Sequence, residues 1–198
     1  MSYQAIDLTC PGCGAPVSIN QKVCEYCDRP ILISSFNSVY SMSLTDINKY
    51  KKSYTQALGE NPDNPQINSS IAMCYLKLRL YDKALESFEK AIEDDFDNSE
   101  TYFYAAVSLL KGKKAFLTPR ADINKAIDYI NAALMIEPKG IYYYFLAYIK
   151  YDFFERKFLN TTPDFKDCYY QAMSLGTSDY DINMLFDILN VSKPSIFN

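Results

Sequence analysis

Four cysteines near the N-terminus carry the clearest chemistry in this sequence. Cys10 and Cys13 form one C-x-x-C pair, and Cys24 and Cys27 form a second pair after ten intervening residues. Structural zinc takes four soft ligands in a tetrahedron, and two C-x-x-C turns can supply two thiolates each. Because cysteine then fills every ligand place, none stays open for water or substrate. The spacing therefore predicts one structural Zn²⁺ ion and argues against a catalytic one.

A redox dithiol is the alternative chemistry for a C-x-x-C pair. That role is typical of a lone pair in a βαβ context, and here there are two pairs and no such context. The N-terminus lacks the basic and long apolar stretches of a secretory signal. The longest apolar run, residues 141–149, is shorter than the ~20 residues that a membrane span needs. We therefore expect a soluble, cytoplasmic protein with no membrane span, whose thiols stay reduced and bind metal.

The cysteine turns also place demands on the chain around them. The residue after the second cysteine of each turn often adopts a left-handed backbone, which suits Gly14 and is tolerated by Asp28. Short strands are predicted at 6–9, 17–23 and 31–33. A module of this size buries too little surface to fold unaided, whereas zinc contributes about 10–16 kcal/mol of apparent binding energy in finger peptides. Residues 1–33 resemble a zinc ribbon.

The ribbon is followed by a segment of different composition. Residues 34–43 carry no charge and contain five serines, which predicts a linker. From residue 44 to 198 the apolar residues recur at helical spacing, punctuated by Pro and Gly. The domain prediction is therefore a ribbon at 1–33, a linker at 34–43 and a helical domain at 44–198.

The helical region repeats with a period of 34 residues. With Pro65 as position 1, small residues fall at positions 8, 20 and 27, which are Ala72, Ala84 and Ala91. This pattern resembles the tetratricopeptide repeat, in which small residues at those positions let paired helices approach closely. Bulky residues fill the holes beside them, here Tyr75 and Phe88.

The same spacing predicts further helices on both sides of this unit. They lie at about 44–62, 99–111, 122–136, 141–154, 163–175 and 178–190, with Tyr148 in place of a small residue at position 8. The fold class is therefore predicted as mostly α, a tetratricopeptide-like α-solenoid with a small N-terminal β zinc ribbon. This combination resembles that of bacterial proteins that join a zinc ribbon to tetratricopeptide repeats.

The resemblance implies a concave face lined by the first helix of each repeat. The residues that match the lining positions are mostly apolar or aromatic, and such a groove would suit a peptide or amphipathic helix of a partner protein. The candidates are Met73, Lys77, Phe103, Val107, Lys111, Tyr142, Phe145, Ile149 and Phe153. The alternative is that the chain's own C-terminal helix or its serine-rich segment covers this face.

Composition narrows the function classes. The chain has no histidine, so it lacks the commonest general base, and it shows no phosphate-binding glycine loop; we predict no enzyme. A net charge of −4 and a pI of about 4.9 argue against nucleic-acid binding. The prediction is a protein-interaction adaptor. Two alternatives stay open: a nucleic-acid-associated regulator that uses the ribbon and the basic loop 111–120, and a structural subunit of a larger assembly.

Overall fold

The computed structural model describes residues 7–197. Residues 1–6 of the predicted ribbon, including Ile6 of its first predicted strand, lie outside this range, as does Asn198. Contacts divide the chain into two compact units between Phe96 and Asp97. Within the described range, no helix is long and apolar enough to cross a membrane.

The first unit begins with a two-stranded antiparallel sheet. Strands β1 (Asp7–Thr9) and β2 (Pro16–Ser18) pair with Leu8 opposite Val17, and both of these side chains are buried. Val23 and Pro30 form an isolated bridge. The predicted strand over 31–33 is wrong, because these residues form no strand and instead pack beneath the helices that follow. Only the first part of the strand predicted over 17–23 is present.

Four helices follow the sheet within residues 7–96 of the first unit. They are α1 (Phe36–Tyr40), α2 (Leu44–Glu60), α3 (Pro65–Lys77) and α4 (Tyr81–Asp94). Asn64 caps α3, since its side chain accepts a hydrogen bond from the Ile67 N–H at 2.9 Å. Helices α3 and α4 form a hairpin, in which Ala72, Ala84 and Ala91 are buried. Small residues at these three positions permit the close approach that the repeat predicts.

The second unit contains five α-helices and several short helical turns. The α-helices are α5 (Ser99–Leu109), α6 (Arg120–Ile136), α7 (Gly140–Ile149), α8 (Phe165–Ser174) and α9 (Asp179–Leu189). Turns of 3₁₀-helix lie at Ala115–Leu117, Glu155–Lys157 and Ser195–Phe197, and α7 continues into a π-helical turn at Lys150–Phe154. Helix α5 pairs with α6 and α7 pairs with α8, while α9 packs on α5 and α7. The predicted mostly helical fold is confirmed.

The long loop between α5 and α6 is held by one side chain of α7 and one of the π-helical turn that follows it. The Ala115 N–H donates to the Tyr148 hydroxyl at 3.3 Å, and the Phe116 N–H donates to the Asp152 carboxylate at 2.8 Å. Tyr148 and Asp152 are both buried. A large polar-tipped residue at position 8 of this repeat therefore serves the lengthened loop, which ordinary repeats do not have.

Candidate functional site

The four N-terminal cysteines come together in the first unit. Their sulfur atoms all lie within 4.8 Å of one another, with Cys10 Sγ 3.6 Å from Cys27 Sγ and Cys13 Sγ 3.7 Å from Cys24 Sγ. Four Zn–S bonds of ~2.3 Å at tetrahedral angles place sulfurs ~3.8 Å apart. The donor set and its spacing therefore fit a tetrahedral metal ion, although the identity of the ion stays a prediction.

Two left-handed residues shape the turns that present the cysteines. Gly14 has φ +82° and Asp28 has φ +56°, which confirms the backbone predicted after each C-x-x-C pair. The Gly14 N–H donates to the Cys10 carbonyl at 3.0 Å, and the Asp28 N–H donates to the Cys24 carbonyl at 2.9 Å. The two turns thus have matching geometry despite their different sequences.

Gly12 is a further requirement of the cysteine cluster. A Cβ atom at this position would lie 2.5 Å from Arg29 Cδ and 3.0 Å from Cys27 Sγ, and the Gly12 N–H donates to Cys10 Sγ at 3.3 Å. Any larger residue would crowd a sulfur that must keep its place among the ligands. The C-x-x-C pattern predicted a special backbone at Gly14 but gave no signal for Gly12.

The thiols strongly influence one another's ionisation. Desolvation opposes ionisation of Cys10, but the N–H groups of Cys13 and Gly12 outweigh it and lower the pKa of this thiol to about 7. At Cys27 the Arg29 N–H favours the thiolate, but desolvation and the other three cysteines raise the pKa to about 12. Four thiolates this close repel one another unless a cation lies between them, so the cluster suits a bound metal ion.

The other two cysteines lie away from this cluster and are buried singly. Burial raises the pKa of Cys74 in α3 to about 12 and that of Cys168 in α8 to about 11. Both thiols therefore stay protonated and behave as small apolar side chains.

Residues 7–33, which we call the cysteine module, are joined by hydrogen bonds to α2 and α3 of the first unit. Tyr50 and Tyr54 donate hydrogen bonds from their hydroxyls to the carbonyls of Pro30 and Ile31, each at 2.8 Å. The Ile33 N–H donates to Ser70 Oγ at 3.2 Å. Arg29 also forms an ion pair with Asp46 at 2.8 Å. The side chains of Ile31 and Ile33 are buried, so the module is part of the same core as the helices.

The predicted partner groove does not lie open. Seven of its nine residues are at most 3% exposed, namely Met73, Phe103, Val107, Tyr142, Phe145, Ile149 and Phe153. In the second unit, Phe103 stacks on Tyr142 with ring centroids 4.6 Å apart. Phe186 of α9 meets the edge of Tyr148 at 5.3 Å. The expectation of an accessible aromatic groove is therefore corrected for the second unit, because the chain's own C-terminal helix covers the aromatic face of α7.

The two lysines of the predicted groove have separate surroundings. Lys77 donates to the Tyr40 carbonyl at 2.7 Å and lies 4.4 Å from the centre of the Tyr40 ring, so it fastens α1 to α3. Lys111 is exposed in the turn after α5, where its φ is +50°.

A different groove is accessible in the second unit, and we call it the α6–α7 groove. Its volume is about 550 Å³, and it is lined by Ile127, Asn131, Leu134, Met135, Tyr143, Leu146, Lys150, Thr161, Thr162 and Pro163. Met135 is 87% exposed at its edge. The segment 161–163 that closes one side follows Phe158, which is 96% exposed and left-handed at φ +57°. The only sequence signal for this groove is the lengthened loop FLNTTP (158–163).

Comparison with known proteins supports the repeat architecture. Residues 51–110 match the Tetratricopeptide repeat family. The structure is similar to MamA MSR-1 C2, with a TM-score of 0.51 and 17% identity over 71% of this chain and 82% of that one. It is equally similar to MamA AMB-1 P212121, with a TM-score of 0.51 and 17% identity over 73% and 82% of the two chains. No curated protein matches the chain. These likenesses establish the tetratricopeptide-like helical fold.

Proposed function

We propose that this chain is a non-enzymatic cytoplasmic adaptor that binds another protein through its tetratricopeptide-like helices. Stacked helical hairpins cannot bury all of their apolar faces, and the surfaces left over are commonly used to bind partners. Here one such surface, the α6–α7 groove, combines an apolar lining with an open edge at Met135. That accessible groove is the observation that carries the proposal.

The cysteine module has a structural part in this proposal. One zinc ion held by Cys10, Cys13, Cys24 and Cys27 fixes the fold of residues around them. Tyr50 and Tyr54 of α2 then join the module to this helix, because their hydroxyls donate hydrogen bonds to backbone carbonyls of the module. The module thereby completes the core of the first unit and is not required to contact a partner itself.

A single charged substitution tests the adaptor role. Met135→Asp places a carboxylate at the exposed edge of the groove, where a bound partner would have to desolvate it, so we expect loss of the proteins cross-linked to the wild-type bait. Captured proteins would be compared by quantitative mass spectrometry after cross-linking in cell lysate. Leu44→Asp is the matched control, because Leu44 is also a large exposed residue, at 61%, but lies on α2. An unchanged set of captured proteins in Met135→Asp would contradict the proposal.

A further inference from the structure

Lys150 is a buried cation at the wall of the α6–α7 groove. Only 4% of its surface is exposed, and it lines the groove together with Thr161 and Thr162. Its ammonium donates one hydrogen bond, to Thr161 Oγ1 at 2.9 Å, and Thr161 is itself part of the groove lining. Lys150 begins the π-helical turn that follows α7, and such turns occur often at functional sites.

This ammonium has no paired carboxylate in residues 7–197. Lysine is almost never buried without a partner, and the three donors of its ammonium have one acceptor, Thr161. Cys168 and Asp164 act on it electrostatically, but burial keeps the Cys168 thiol protonated, and the Asp164 carboxylate accepts the Asp167 N–H at 2.9 Å and caps α8. Desolvation lowers the pKa of Lys150, as expected for a cation whose counter-charge is absent. A ligand with a carboxylate would supply that counter-charge.

The rest of the groove is lined mostly by apolar side chains and favours a largely apolar ligand. Leu134, Met135 and Leu146 supply aliphatic surface, and Tyr143 supplies an aromatic ring. Large apolar side chains are also exposed here, since Met135 at the groove edge is 87% exposed and Phe158, three residues before Thr161 in the chain, is 96% exposed. Large exposed apolar side chains of this kind are typical of a surface that binds a segment of a protein.

We infer that the α6–α7 groove binds an amphipathic segment of a partner protein whose apolar face carries one glutamate, and that this glutamate pairs with Lys150. A glutamate side chain has a flexible stem, so its carboxylate can reach the recessed ammonium while the partner backbone stays at the level of Met135. A single ammonium matches one carboxylate in charge, whereas a phosphate dianion would need a second cation. This inference rests on the proposed adaptor role and names the chemistry of the partner.

Matched synthetic peptides test the pairing. The probes are short amphipathic peptides with an apolar face of leucines and one central Glu, acetylated and amidated so that this Glu is the only carboxylate, and the same peptides with Gln. Calorimetric titration of the full chain should show that Glu→Gln weakens binding by about tenfold to a hundredfold. The difference should disappear in Lys150→Met, which keeps the aliphatic stem and removes the charge. Lys113→Met, an exposed loop lysine outside the groove, should behave as wild type.

The stability of the free protein gives a second readout that a merely structural lysine would not produce. Removing a buried charge that lacks a partner is expected to stabilise the protein, so Lys150→Met should raise Tm in the absence of peptide. A lower Tm in Lys150→Met would indicate that the lysine serves the fold and would count against the inference.

The remaining outcomes are equally decisive. Equal binding of Glu and Gln peptides, or no binding of either, would overturn the inference. Sodium octanoate binding more tightly than any of the peptides would overturn the assignment to a protein segment in favour of a small amphiphilic carboxylate. If Met135→Asp abolishes capture of partners while Lys150→Met leaves capture and peptide preference unchanged, the adaptor role stands and the inference alone fails.

Discussion

The cysteine module and the aromatic helices of the second unit are stabilised by different means. The described module has few buried apolar side chains of its own, among them Leu8, Val17 and Ile31, and its backbone is bent around four sulfurs within 4.8 Å of one another. The second unit instead buries a continuous set of aromatic rings, from Phe103 on α5 to Phe186 on α9. We expect that a short segment with so little apolar surface depends on a bound metal, whereas five helices can exclude water with side chains alone.

This difference leads us to expect different roles for the two regions. Aromatic burial in the second unit closes the face that the repeat pattern assigned to a partner, and it leaves the α6–α7 groove accessible. Backbone groups of the cysteine module form hydrogen bonds with side chains of α2 and α3. We therefore expect perturbations of the metal site to act on the first unit and perturbations of the rings to act on the second.

The largest expected effect is that of Cys24→Ser. Loss of one ligand removes most of a zinc binding energy on the order of 10 kcal/mol, so the module should unfold and the protein should contain less than stoichiometric zinc. Elemental analysis checks the metal. Hydrogen exchange should show lost protection across the module and in α2, because Tyr50 and Tyr54 lose their acceptors, with protection kept in α5–α9.

The control for this substitution is Cys74→Ser, which changes a buried cysteine outside the cluster and should keep one zinc per chain. If Cys24→Ser also lost hydrogen-exchange protection in the second unit, the stability of that unit would depend on the metal site, and the contrast between the two regions would be wrong.

A smaller effect is expected from Phe145→Ala in the second unit. Phe145 is fully buried and lies 5.7 Å, between ring centroids, from Phe103, and truncation of a buried phenylalanine costs about 3–5 kcal/mol. Urea denaturation should show this loss while zinc content stays unchanged. Tyr170→Ala removes a ring that is 72% exposed and should have little effect. Loss of zinc in Phe145→Ala would argue that the metal site and the aromatic core of the second unit are not stabilised independently.

The smallest effect is expected where the module meets the helices. Tyr54→Phe removes the hydroxyl that donates to the Ile31 carbonyl, and a buried hydrogen bond of this kind contributes about 1 kcal/mol. The free energy of unfolding of the first unit, measured by denaturant titration with zinc present, should fall by that amount. Arg29→Ala, which breaks an exposed ion pair with Asp46, should change it less. A larger loss of unfolding free energy in Arg29→Ala than in Tyr54→Phe would mean that the surface ion pair contributes more than the buried hydrogen bond to holding the module on the helices.

Much of the architecture was predictable from local sequence. The positions of Ala72, Ala84 and Ala91 within one 34-residue unit predicted the α3–α4 hairpin, because small residues at these positions permit two neighbouring helices to approach. The strand predicted over 31–33 was wrong, since an apolar run such as Ile31-Leu32-Ile33 suits either a strand or a segment that packs under helices.

The sequence by itself determined the cluster of four cysteines, the left-handed turns at Gly14 and Asp28, and the order of the helices from α2 onward. Each of these follows from residues that are neighbours in the chain. Only the tertiary structure decided that α9 covers the aromatic face of α7, that Gly12 lies against Cys27 Sγ, and that Lys150 lies recessed in an apolar groove. Burial and pairing at these places depend on which distant elements meet, and no local pattern specifies that.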